Sequence, residues 1–453
     1  MGKNRGNVKM RFVQKLAYSS GSLAAIISYQ AFVTFVQFFY IDELKLPAML
    51  VATVGWTIYG VWNAINDPLA GAISDRTRTR WGRRIPYILF CTLPLALTFA
   101  LIWTPPFKGA GQSNLLFAWF LLFILLFDGL WTIVVLNWTA LFPEMYQSLE
   151  ERAQVSGLRQ AFSVIGLLMG AALPPLLYSR FGWGTMGLVI ASVTALFFFI
   201  SLLGSRERPE LRAESLPLGL ALKATLKNRS FLAFAGANIL IQFSFLVLQA
   251  TAPFYAKHVL QASPNQTSVL LATPFVGAML FLFPWTKIIV RLGPRGALML
   301  ACLLFAAPWL AFQVISDFTS ALIAVATAAI GLAGLLMLPD IVISDVIDED
   351  ELNTGARREG IYFGINGFLI RLAFVLQGWA MGAVLTVTGY DPSLALQKPS
   401  AIAGLRLLMS YVPIVGLLGA LACLFFYPLH GTRLAQVKEQ LAKLHAEKVR
   451  RAP

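Results

Sequence analysis

Long apolar runs alternate with short polar connections along almost the whole chain. A membrane-crossing helix needs about 20 apolar residues. The runs predict spans over 16–40, 47–75, 84–105, 113–143, 153–179, 183–204, 230–256, 266–290, 295–316, 319–346, 359–388 and 402–428. A helix satisfies its backbone groups within one segment, as lipid requires, so these runs are read as helices despite their many aromatics. The pattern predicts an all-α membrane protein with twelve transmembrane helices. One interior break stands out. Residues 205–229 are charged and carry Pro209 and Pro217. They divide the chain into an N-terminal six-helix bundle (1–204), a central loop (205–229), a C-terminal six-helix bundle (230–430) and a tail (431–453). The tail reads as a solvated, charged amphipathic helix or an unstructured end.

Composition strengthens this picture. Of 453 residues, 57% are hydrophobic and 13% charged, against about 25% charged in soluble domains. The formal charge of +14 does not indicate nucleic acid, because the cations sit in short loops between apolar runs. One side collects Lys3, Arg5, Lys9, Arg11 and Lys15, the loop Arg76–Arg84, the central loop and the tail. The other side holds only Lys45, Lys108, Arg180, Lys257 and Lys398. Cytoplasmic loops carry the excess of Lys and Arg, so both termini are expected in the cytoplasm. The N-terminus is basic and lacks the short apolar core and cleavage site of a signal peptide. Cys91, Cys302 and Cys423 lie far apart inside apolar runs, without metal or disulfide spacing. His258, His430 and His445 sit at loop or tail positions. No nucleophile–base arrangement appears, so an enzyme is not expected. Two six-helix halves around a basic loop are the organisation of major facilitator carriers, with substrate held between repeats.

Ionisable side chains within spans are costly and therefore functional candidates. Asp67 lies about nine residues before Arg76, roughly 13 Å into the bilayer at 1.5 Å per residue. Asn63, Asn66, Asp67 and Ala70 follow i, i+3, i+4, i+7 spacing and share a face. A carboxylate with two carboxamides on one buried face suits a small hard cation, or a proton on a desolvated acid. The competing reading is an acid that only pairs with a buried arginine. Thr132 in the fourth span lies at similar depth, with Asp128 one turn farther out on its face. Thr132 either completes an oxygen cage or bonds back to its own helix. Arg159 in the fifth span either pairs with Asp67 or Asp128 or holds an anionic or hydroxylated substrate. Arg371 is the deep cation of the C-terminal half. With Asp128, Arg159 and Arg371, the aromatic lining, Tyr29 and Trp131 among it, forms the expected substrate set.

A second group of charges sits at the cytoplasmic helix ends. Gly71, Asp75, Arg83 and Arg84 surround the second-to-third turn. Glu144 and Arg152 flank the fourth-to-fifth turn, and Asp345 and Arg357 the tenth-to-eleventh. These read either as solvated loops or as a gate closed by ion pairs across the bundle interface. The last two turns share an order of acids, basic residues and a span with an embedded arginine, a faint repeat about 200 residues apart.

Three stretches carry a resemblance. WNAINDPLAGAISDRTRTRWGRRIPYIL, FPEMYQSLEERAQVSGLRQAFSVIG and SDVIDEDELNTGARREGIYFGINGFLIR resemble, in order, the second-span, fourth-to-fifth and tenth-to-eleventh segments of the glycoside–pentoside–hexuronide:cation symporters, the melibiose permease family. The resemblance implies Na⁺-, Li⁺- or H⁺-coupled symport of a sugar, glycoside or related solute by alternating access. It implies a cation site at Asn63, Asn66, Asp67 and Thr132, where Asn63 replaces an acid of the permease pattern, which favours a proton over Na⁺. Two sugar-site acids of that pattern fall on Ile26 and Val135 here. Arg159 matches the family's fifth-span arginine, and Arg371 stands where the family embeds a lysine. Around LPD and DVID the chain also resembles vertebrate lysolipid carriers, so an amphipathic substrate is an open alternative. A non-transporting membrane assembly protein on a carrier fold is a further one. The expected partners are a small-molecule substrate, a coupling cation and the lipid bilayer, with no cofactor beyond Na⁺ or H⁺ and no nucleic acid. The expected form is a monomer in a bacterial inner membrane.

Overall fold

The computed structural model describes residues 11–107, 110–146, 148–207, 227–355 and 358–451. Nearly all of them are helical. The apolar runs become α1 (Phe12–Ser19) and α2 (Gly21–Phe38), then a π-helical turn, Phe39–Glu43. A second π-helical segment, Met49–Gly55, runs into α3 (Trp56–Arg76), followed by α4 (Ile85–Ile102), α5 (Ser113–Met145) and α6 (Leu149–Gly204). Then come α7 (Arg229–His258), α8 (Pro264–Ala306), α9 (Phe318–Thr354), α10 (Glu359–Val387), α11 (Pro399–Met409), α12 (Tyr411–Phe425) and α13 (Gly431–Arg451).

Local chemistry sets several of these ends. Ser148 accepts a bond from Glu151 N, Asn228 from Phe231 N and Asp317 from Ser320 N. Each satisfies a backbone donor that the first helical turn leaves open. Ser263 and Gln266 form a capping box at the start of α8. Two long helices are each interrupted by a glycine at positive φ, Gly182 in α6 (φ 81°) and Gly293 in α8 (φ 70°). Only a residue without Cβ turns there at little cost.

Among the described residues nine helices are long and apolar enough to cross a membrane. α3 is not one of them, because Asn63, Asn66, Asp67, Asp75 and Arg76 dilute its apolar content. Large apolar side chains such as Leu203, Phe283 and Val290 are exposed. A soluble monomer seldom leaves such surface in contact with water, and a bilayer covers it.

The chain divides into two compact units. One comprises Met1–Tyr40 and Val61–Ala213, the other Ile41–Gly60 and Glu214–Pro453. In the first, α6 lies close along α2. A Cβ on Gly170 would sit 2.7 Å from Ile27 O, and one on Gly166 3.2 Å from Leu23 O. Small residues four apart let two membrane helices approach backbone to backbone. This contact brings Ser22 of α2 beside Arg159 of α6. In the second unit, residues 49–60 pack on α10 in the same manner.

The tail departs from the solvated reading. α13 is helical and docked, with Leu434, Val437 and Leu441 buried. Their spacing of three and four residues puts them on one face, and the basic residues beside that face bond to acids at the end of α9.

Candidate functional site

The polar face of α3 meets α5 in the first unit. Asn63 and Asn66 point their amide groups at Asp128. Asn63 Nδ2 donates to Asp128 Oδ1 at 2.6 Å, and Asn66 Nδ2 donates to Asp128 Oδ2. Thr132 Oγ1 lies 3.0 Å from Asp67 Oδ1 and 3.3 Å from Asn66 Oδ1. Asp128 is 0% exposed, and Asn63, Asn66 and Thr132 are also buried. Asp67 is half-buried.

This geometry puts Asp128 against the residues expected to hold the cation. Asp128 was expected with the substrate residues, yet its carboxylate binds two residues of the cation set. Spacing along α5 cannot reveal a bond to α3, which lies more than 60 residues away in sequence. The consequence is chemical. Asp128 accepts an amide hydrogen at each of its carboxyl oxygens. By taking both NH₂ groups, Asp128 also fixes the sense of each carboxamide and turns the amide oxygens of Asn63 and Asn66 away from itself. Pro68 adds a further effect. It has no N–H, so the helical carbonyl at Ala64 loses its donor.

The residues expected to hold substrate divide into two places. Arg159, with Ser22, Ser156, Gln160 and Ser163, lines a polar cavity of about 210 Å³. Its guanidinium lies over the rings of Trp138 (4.6 Å to centroid) and Phe142 (5.0 Å). Such cation–π contacts hold the head group without neutralising it. The expected ion pair with Asp67 or Asp128 is thus replaced by an aromatic seat, and Arg159 Nε is buried without a hydrogen-bond partner. Tyr29 and Trp131 come together at 4.7 Å between ring centroids, and Trp131 Nε1 donates to Ala25 O at 3.0 Å. Ser22, Ile26 and Tyr29 follow i, i+4, i+7 spacing on α2, so the aromatic pair continues the face that begins at the cavity. Val135, like Ile26, is half-buried. Arg371 lies half-buried on α10 in the second unit.

Several of the charges expected at the gate form contacts within the first unit. Arg83 Nη2 and Arg84 Nε bond to Glu144 Oε1 at 2.7 and 2.9 Å, all within the first unit. Glu207 joins them, accepting from the backbone N–H of Arg83 (2.8 Å) and Arg84 (3.0 Å) at the start of α4. An anion at a helix N-terminus is favoured by the open N–H groups and the dipole. Gly82 makes room for it. Its φ is +101°, and a Cβ there would overlap the Glu207 carboxylate. Arg152 Nε donates to Tyr146 O at 2.7 Å. Gly71 has open space around it. The Asp75 side chain and Arg357 lie outside the described residues.

In the second unit the acid expected at the gate, Asp345, is bound by the tail: Lys438 Nζ approaches it to 3.1 Å. Arg433 likewise meets Glu349 at 2.5 Å, and His445 meets Glu351 at 3.0 Å. Next to them Arg358 forms a two-point pair with Asp350. That bond holds the Arg358 pKa above its ordinary value.

Two groups escaped the sequence reading. Glu207 was hidden among the central-loop charges, although the WGRR turn signals an anion-binding helix start. Asp42, at the end of the π-helical turn, reads as a loop acid. Its signal is the scarcity of charge on that side of the protein, where Asp42 and Glu43 stand near the few lysines.

The comparisons with known proteins agree with this architecture. The family described as MFS/sugar transport protein matches residues 17–431. The isoprimeverose transporter of Lactiplantibacillus pentosus is 25% identical over 91% of this chain and 88% of its own. The sodium-dependent lysophosphatidylcholine symporter 1 of Mus musculus is 25% identical over 97% and 90%. Among solved structures, a bacterial homolog of the human lysosomal transporter Spinster superposes with a TM-score of 0.65 at 14% identity, covering 97% of this chain and 99% of that one. The chain therefore belongs to the MFS/sugar transport protein family. It is a membrane transporter and not an enzyme.

Proposed function

We propose that the protein is a cation-coupled symporter using Na⁺ as its coupling ion, with Asp67 as the principal ion ligand. The observation carrying this reading is the Asn63–Asn66–Asp67–Asp128–Thr132 cluster. Na⁺ is a hard cation that takes oxygen donors. The cluster offers the Asp67 carboxylate, the Thr132 hydroxyl and carboxamide oxygens, beside a second carboxylate. Asn63 removes an acid from the permease pattern, and Asp128 returns one from the facing helix. That second carboxyl group beside the oxygen donors supports Na⁺ over a proton. Asp128 acts as the orienting acid, holding the amides so that their oxygens face the ion. The relative named a sodium-dependent symporter is consistent with this. The test is uptake against a gradient, with Na⁺ varied at fixed pH and then pH varied without Na⁺. Steep Na⁺ dependence supports the reading, and a response to pH alone rejects it.

The substrate enters at the cavity of Ser22, Ser156, Arg159, Gln160 and Ser163. Hydroxyls, an amide and a guanidinium offer hydrogen bonds to a hydroxylated solute, and the adjoining Tyr29–Trp131 pair offers it an aromatic face. A sugar or glycoside fits best, and a relative is named an isoprimeverose transporter. A second reading, an amphipathic substrate, is favoured by apolar Ile26, one turn from Ser22 of the cavity, and by apolar Val135, both standing where the permease pattern has acids. Thermal-shift screening of sugars against lysolipids, with and without Na⁺, separates the two.

The membrane topology follows from the same reading. Gly182 and Gly293 each divide a long apolar helix into two spans, and α3 supplies a polar-faced one. Added to the other candidate spans, these give twelve in two six-helix halves. The basic loops put both termini in the cytoplasm of a bacterial inner membrane. The turn containing Asp42 then faces outward.

A further inference from the structure

Asp42 ends the first span and is completely buried, at 0% exposure. Three side chains from the second unit converge on its carboxylate. His258 Nε2 lies 2.7 Å from Oδ1, Lys257 Nζ lies 2.5 Å from Oδ2, and the Tyr390 hydroxyl donates to Oδ1. His258 and Tyr390 also touch each other at 3.0 Å. Burial, then the neighbouring Asp42, push the Tyr390 phenol far above its ordinary range, so it stays a donor. Beside this cluster Lys45 adopts a positive φ of 64°. Its ammonium bonds to Asp42 O and Pro392 O. A β-carbon-bearing residue held in that region signals a locally constrained loop.

The same segment is tied along its length. A Cβ on Gly378 of α10 would overlap Ala52 O, and one on Gly382 would lie 3.2 Å from Thr53 Cβ. Trp379 Nε1 donates to Thr57 Oγ1 at 2.7 Å. Residues 41–60 are thus packed on the second unit by a glycine seam that is capped by a buried charge cluster. Yet they are the direct chain link between α2 and α3, both of which carry proposed binding residues of the first unit. A buried carboxylate with three donors is costly to break by removing one partner. Such a contact suits a closure that must hold in one state and open in another.

We infer that Asp42, with Lys257, His258 and Tyr390, is the latch of the outer closure: it clamps residues 41–60 onto α7 and α10, and the outward-open state forms only when the clamp releases. The inference rests on the transport reading and its topology. It adds positioning residues to the transport cycle that the cation and substrate sites do not include.

The test needs no identified substrate. Thr53→Cys is introduced with the native cysteines replaced by serine, and labelled by a membrane-impermeant maleimide in right-side-out and inside-out vesicles. The latch predicts slow labelling from the outside, and labelling at least five-fold faster when Asp42→Asn is added. Tyr390→Phe, which removes one donor, gives an intermediate rate. In a second arm, Thr53→Cys with Gly382→Cys is oxidised. The Cβ separation is near that of a disulfide, so the bond forms readily with Asp42 present and several-fold more slowly with Asp42→Asn. A single gel-filtration peak and a cooperative thermal transition for each variant serve as the folding control, and radioactive Na⁺ binding is measured alongside. Equal labelling and equal cross-linking with and without Asp42→Asn, in folded protein, overturn the latch. Labelling from the inside only overturns the topology on which it rests. Loss of Na⁺ binding in the unmodified chain would instead contradict the coupling proposal and leave the latch measurement readable.

Discussion

At the scale of single residues, the proposed cation site divides its work between Asp67, which binds, and Asp128, which orients. Asp67→Asn keeps the side chain's size and removes its charge, and is expected to lower Na⁺ affinity at least ten-fold with the fold intact. Isothermal titration with NaCl at constant ionic strength measures it. Asp128→Ala acts differently. It leaves two buried amides seeking acceptors, a loss of about 1–3 kcal/mol for each. A lower melting midpoint together with weakened Na⁺ binding is expected, whereas Asp67→Asn weakens binding alone. Gly82→Ala tests the anion seat at the turn between α3 and α4. The positive φ and the overlap with Glu207 predict a loss of about 1–3 kcal/mol, seen as a lower thermal midpoint. The shared polar face of α3 was legible in the sequence because i, i+3, i+4 spacing brings Asn63, Asn66 and Asp67 together. The role of Asp128 was not, because it depends on which residue of a distant helix lies opposite.

At the scale of elements, the helices follow from the length of the apolar runs, and their ends from caps such as Ser148 and Asn228. The tail shows the limit of reading charge alone. Its many basic residues suggest a solvated end, while Leu434, Val437 and Leu441 form an apolar stripe that tertiary packing buries. Removing residues after Gly431 takes the partners from Asp345, Glu349 and Glu351 and uncovers the surface beneath those three side chains. The expected outcome is a lower thermal midpoint and faster proteolysis of the loop between α9 and α10, followed by limited trypsin digestion. Unchanged digestion would mean that the tail contributes little to that junction. Arg159 gives a related lesson. Its place in a span marked it as functional, but an aromatic seat formed by Trp138 and Phe142 cannot be read from spacing between α5 and α6.

At the scale of the whole molecule, a chain of this composition is intelligible only with lipid around it. Hydropathy made the membrane fold legible, since it depends on the bilayer and little on detailed packing. The division into compact units was harder to foresee. Residues 41–60 join the second unit through Gly378 and Gly382, and a glycine in an apolar helix announces close approach without naming what approaches. Alternating access turns such packing into function, because closures must hold and release in turn. The central claim concerns the ion that drives this cycle. Equilibrium binding of radioactive Na⁺ to the purified protein, at fixed pH and with choline balancing ionic strength, tests it most directly. The account predicts saturable binding to the unmodified chain that Asp67→Asn weakens at least ten-fold. No saturable binding, or equal binding by Asp67→Asn, would contradict it.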